Sequence, residues 1–229
     1  MLTLQTTIRA GRIIGVLIIL QLIGGYVVNF VLEEPLFGSP GFLVNAASHA
    51  RQLGVGALLG LVVEAFWVGI AVASFSILEV RARPIAIGLM VLAAVVLAAA
   101  SAECAAVMSM VSVSDAYNNA SAAGREQLEA VRVIVASSRN WVHYVARLLD
   151  GIIIFIFYAG LYRAALVPRW INGFGFIAVL LMIVGITMPF FGHDVVFPLL
   201  APLGLSQLIV SVWLVAKGFR EPSISKPIV

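Results

Sequence analysis

PIAIGLMVLAAVVLAAASAECAAVMSMV, residues 84–111, contains a single charged side chain, Glu103. A helix needs about 20 apolar residues to cover a hydrocarbon core about 30 Å thick, so this stretch is long enough to cross a bilayer. Comparable segments lie on either side of it, at 13–32, 52–78, 140–163, 170–191 and 195–216, separated by short polar turns. The pattern predicts an all-α, polytopic integral membrane protein with six transmembrane helices. Composition agrees: the 229 residues are 62% hydrophobic and only 11% charged, with a mean hydropathy of +1.09, values that exclude an ordinary soluble domain. Spans and connections use nearly all of residues 1–229, so one transmembrane domain is expected. The first span is too long for a signal-peptide core and is followed by no small-residue cleavage pattern, which predicts a retained signal anchor. Cys104 is the only cysteine, which rules out an intrachain disulfide and multi-cysteine metal motifs.

Cationic loops are retained on the cytoplasmic side of a membrane. Arg9, Arg12, Arg81, Arg83, Arg163, Arg169, Lys217, Arg220 and Lys226 fall on one face of the six-span layout, leaving Arg51, Arg125, Arg132, Arg139 and Arg147 on the other. That asymmetry predicts that both termini are cytoplasmic. The net charge of +3 suits an anionic leaflet, so membrane lipid is the expected partner. No basic, aromatic-studded surface is visible, and nucleic acid is not expected as a partner.

On the outer side, Glu33 to Gly41 is rich in turn residues, and Phe42–Arg51 reads as a short interfacial helix. Residues 125–139 place Leu128, Val131, Ile134 and Val135 at helical spacing, predicting a second surface helix. Gly56 and Gly60 form a GxxxG pair, Gly24-Gly25 interrupts the first span, and the third span is rich in alanine. Such faces allow close helix packing within the chain, with a homodimer as the alternative use.

An ionisable group at the centre of a span costs about 2.5–3.5 kcal/mol on insertion scales, so its presence points to burial in the bundle or to a water-filled cavity. Glu64, Glu103, Arg147 and Asp150 are these groups here. Helical rise places all four in the outer half of the layout, where they are expected to line one outward-facing acidic pocket for a ligand. Arg147 and Asp150, three apart, are expected to pair, with Glu103 as second partner of Arg147 and Glu64 without a close cation. Three carboxylates against one guanidinium require a proton or a bound cation for balance. The competing reading is that the charges only pin helices together.

His49, His143 and His193 all fall at outer helix ends. Three imidazoles with a carboxylate and an open position would make a zinc site able to activate water, but the residues come from three separate connections with no HxxxH spacing. No metal or other cofactor is therefore expected. Nucleophile-elbow, phosphate-loop and HExxH patterns are absent, which disfavours an enzyme.

Leu161-Tyr162-Arg163-Ala164-Ala165-Leu166-Val167-Pro168-Arg169-Trp170, followed by a glycine-bearing span, is the most distinctive run in the chain. With Arg9-Ala10-Gly11-Arg12-Ile13-Ile14-Gly15, Arg51, Glu64 and Glu103-Cys104-Ala105-Ala106, it resembles the uncharacterised bacterial membrane family catalogued as domain of unknown function 4386. The resemblance covers almost the whole chain and implies a six-helix membrane protein. It brings no reaction or catalytic residue with it. The function expected from the residues is binding or transport of a small amphipathic, cationic or lipid-like ligand. The rival is a membrane-embedded metal-dependent enzyme acting on lipid, with the three histidines as ligands.

Overall fold

The structure, a computed structural model, describes residues 4–220, and every regular element among them is helical. Among the described residues seven α-helices run in chain order: α1 Leu4–Val27, α2 Glu34–Phe37, α3 Phe42–Ser48, α4 Ala50–Asn119, α5 Ala122–Arg163, α6 Arg169–Thr187 and α7 Ala201–Lys217. A π-helical turn, Val28–Leu32, extends α1. Five helical segments are long and apolar enough to cross a membrane: Gln5–Leu32, Ala50–Asn119, Ala122–Arg163, Arg169–Phe191 and Phe197–Lys217. Lys226 and the other residues beyond 220 lie outside the described residues.

Within α4 the helix breaks at Ala82, which leaves the helical region at φ −152° and ψ 51°. Pro84 accounts for the break: it has no N–H to donate, and its ring crowds both the carbonyl four residues back and the backbone of the preceding residue. The expected surface helix at 125–139 is instead continuous with α5. At about 1.5 Å per residue, the 42 residues of α5 run about 63 Å, roughly twice the hydrocarbon thickness.

The chain forms two compact units. One comprises residues 1–20, 66–94 and 148–229. In it α1 meets α7 where glycine permits contact: a Cβ on Gly11 would lie 2.4 Å from the Phe219 backbone nitrogen, and one on Gly15 would lie 2.8 Å from the Ser211 carbonyl. Gly160 of α5 sits against Leu78 and Ile85, on the two sides of the α4 break. Ile14, Ile18, Ile70, Leu78, Leu89, Ile153, Tyr158 and Leu161 are fully buried there. Such close packing supplies the dispersion contacts that drive helix association where water does not.

The second unit comprises residues 21–65 and 95–147. Its helix contacts use the small residues singled out in the sequence: a Cβ on Gly24 would meet Val63 at 2.5 Å, one on Gly56 would meet Leu32 at 3.0 Å, and Gly60 faces Val28. The GxxxG face is thus occupied within the chain. A core of Leu36, Phe42, Leu43, Ala46, Leu53, Ala57, Val107, Met110 and Val111 joins α2 and α3 to α4, with Val135 and Ala136 of α5 packed against it. Ser114, fully buried, locks α3 in place by accepting from the Ala47 N–H at 2.9 Å and donating to the Leu43 carbonyl at 2.8 Å.

Candidate functional site

Three basic side chains recur at four-residue intervals on α5, Arg139, His143 and Arg147, and helical geometry puts positions i, i+4 and i+8 on one face. All three lie in the second unit, and each meets a carboxylate from another segment of it. Glu33 follows the π-helical turn, whose end is fixed by Gln52: its amide donates to the carbonyls of Val31 at 3.1 Å and Leu32 at 3.2 Å. Glu64 stands before the break of α4 and Glu103 after it.

The contacts form a continuous chain. Arg139 donates to Glu33 at 2.5 Å and lies 3.9 Å from Glu103, with its guanidinium over the Phe37 ring at 5.1 Å. Glu103 divides its two oxygens: Oε1 is 2.6 Å from Nδ1 of His143, and Oε2 accepts from Arg147 at 3.4 Å. Arg147 also donates to Glu64 at 3.1 Å. Acid alternates with base along Glu33, Arg139, Glu103, Arg147 and Glu64, with His143 as a further base on Glu103, the arrangement in which buried charges satisfy one another. Exposure varies along it: the Arg139 and Glu33 side chains are 5% exposed and that of Arg147 26%, while Glu64 at the end is 9% exposed. Burial raises the Glu33 carboxyl above its ordinary value, against the opposing charge of Arg139. Desolvation disfavours the ionised form, and the nearby guanidinium only partly offsets it.

Three of the four expected pocket residues, Glu64, Glu103 and Arg147, are thus brought together. Glu64 does have a close cation, contrary to the expectation that it lacks one. Asp150 is buried and counts with the first unit. Glu33 and Arg139, read from the sequence only as outer-face charges, turn out to be the most buried pair. The signal that could have revealed them was the Arg139, His143, Arg147 spacing.

The three histidines have different surroundings. His49 ends α3, with Nδ1 2.9 Å from the Asn45 carbonyl and 3.1 Å from Ser48 Oγ. His143 belongs to the charge chain. His193 lies in the first unit, where its backbone N–H donates to the Met188 carbonyl at 3.2 Å. Among the described residues no group of three or more His, Cys, Asp or Glu side chains is placed to hold a metal ion.

Five long apolar helical segments, with a row of opposed charges in the second unit, define a helical membrane protein. Residues 13–218 match the family model described as Domain of unknown function (DUF4386), and the chain belongs to that family. No curated protein and no solved structure matches it.

Proposed function

We propose that the chain is a six-pass protein of the bacterial inner membrane, with both termini cytoplasmic, that binds or transports a small amphipathic cation. The break at Ala82 supports reading α4 as two passes. The orientation rests on the asymmetry of the lysines and arginines between the two faces.

The observation that carries the binding reading is the position of Arg147, the most exposed member of the chain, held between Glu64 and Glu103. Three carboxylates, Glu33, Glu103 and Glu64, face two guanidiniums, Arg139 and Arg147, so acids outnumber guanidiniums in the row. An incoming cation with an apolar body satisfies Glu64 and Glu103 in place of Arg147, and a proton competes with it.

Equilibrium binding of tetraphenylphosphonium to the purified protein tests this. Glu64→Gln should weaken binding at least tenfold, Arg147→Met should strengthen it, and affinity should fall as pH is lowered from 8 to 5. Binding that is absent, or indifferent to both substitutions, makes the charges struts and ends the proposal.

A further inference from the structure

The most distinctive run of the sequence is not used by the charge chain. It forms the turn between α5 and α6, in the first unit, and its backbone is held from several sides. Leu166 N–H donates to the Leu161 carbonyl at 3.0 Å and Ala165 N–H to the Tyr162 carbonyl at 3.1 Å, a left-handed helix cap. The left-handed residue is Ala165, at φ 53°, where glycine is usual because a Cβ costs about 1–2 kcal/mol. Arg81 donates to the Ala164 carbonyl at 2.8 Å, and the Arg220 N–H to the Leu166 carbonyl at 2.8 Å. A backbone conformation so constrained commonly marks a functional position.

This turn borders a cavity of about 730 Å³ whose lining, among the described residues, includes Arg163, Arg169 and Arg220 and no acidic residue. Among the described residues none of these arginines forms an ion pair. Arg220 is steadied by Trp213, whose ring centre lies 5.1 Å from its guanidinium. The rest of the lining is mostly apolar, including Ile85, Ala159, Val167 and Phe176. Tyr162 and Trp170 flank the turn and are largely exposed, as suits aromatic side chains at a membrane–water interface.

Cation retention explains why arginines occur near this turn. It does not require three of them to share one cavity with an apolar wall. Guanidinium forks match phosphate oxygens, and basic pockets between transmembrane helices take lipid headgroups. We propose that the turn between α5 and α6 is a phosphate-binding site, filled by the headgroup of an anionic phospholipid, with Arg163, Arg169 and Arg220 on the phosphate and the apolar wall against the adjoining glycerol and acyl chain. The site lies wholly within the first unit and is independent of the cation reading above.

The test is native mass spectrometry of the purified full-length protein with phosphatidylglycerol, with phosphatidylcholine of the same acyl chains, or with inorganic phosphate. Wild type should retain phosphatidylglycerol at least tenfold more strongly than phosphatidylcholine. The double variant Arg163→Gln, Arg169→Gln should abolish that preference, while Arg9→Gln, Arg12→Gln, which removes equal charge from residues that do not line the cavity, should preserve it. Ala159→Phe, which fills the apolar wall without altering charge, should also lose the lipid and serves if the arginine variant misfolds. Displacement by millimolar inorganic phosphate with no lipid preference would uphold the phosphate chemistry and assign it to a soluble ligand. Equal retention of both lipids without phosphate binding, or equal loss in the Arg9, Arg12 variant, would overturn the site.

Discussion

Replacing Arg139 with Met removes the cation from the most buried ion pair in the second unit and leaves Glu33 facing an apolar side chain of similar length. Both partners are 5% exposed at their side chains, so water cannot take over the lost contact, and breaking such a pair from one side costs about 3–5 kcal/mol. Glu103 loses only a contact of 3.9 Å and keeps His143 and Arg147, which places the penalty mainly on Glu33. For a chain of this size each kcal/mol corresponds to about 2–4 °C in Tm, giving an expected drop of about 6–20 °C at pH 8.

The pH dependence has a definite sign. The Glu33 carboxyl already stands above its ordinary value of 4.5 because of burial, with Arg139 opposing the rise. A folded state with a raised carboxyl pKa holds its proton more firmly than the unfolded chain. Glu33's contribution is therefore full below its ordinary value and lost as pH rises through the raised one. Removing Arg139 raises it further, so the variant's deficit should shrink as pH is lowered from 8 to 5. Adding Glu33→Gln should recover part of the lost stability and flatten the pH dependence. Thermal unfolding of the four proteins of this cycle in detergent at both pH values is the assay. A loss below about 1 kcal/mol, a deficit independent of pH, or no relief from Glu33→Gln would refute the argument, since a buried broken pair requires all three effects.

Packing and topology give further expectations. Gly175→Ala would place a Cβ 2.4 Å from the fully buried Tyr158 ring, whose hydroxyl donates to Ser206 at 3.3 Å. It should cost about 1–3 kcal/mol by overpacking, seen as a lower Tm, whereas Gly173→Ala, with open space at its Cβ, should be neutral or stabilising. In a Cys104→Ser background, cysteines at Arg83 and Lys217 should resist a membrane-impermeant maleimide on intact cells, and cysteines at Ser39 and Ala122 should react. Reversed labelling would invert the proposed orientation.

Much of the fold was legible because a bilayer imposes a one-dimensional rule: a segment that cannot satisfy its backbone elsewhere must be a helix of sufficient length and apolarity. Residues 84–111 announce themselves on that rule, and Pro84 marks where α4 departs from helical geometry. The rule does not say where a helix stops once it leaves the apolar core. Residues 125–139 alternate charged and apolar side chains as a separate surface helix would, yet no helix-breaking residue divides them from 140–163, and α5 runs on through both.

Candidate site residues were legible one by one from the cost of placing Glu64, Glu103 and Arg147 among apolar neighbours. Their pairing was not, because a contact such as that of Arg147 with Glu64, or of Arg139 with Glu33, joins positions far apart in sequence, and helical spacing relates only residues on the same helix. The sequence by itself determined a helical membrane chain with costly charges and a distinctive arginine-bearing turn. Only tertiary packing decided which acid meets which base, and which arginines gather around a cavity, since both depend on how separate helices rotate to bury their glycine and alanine faces.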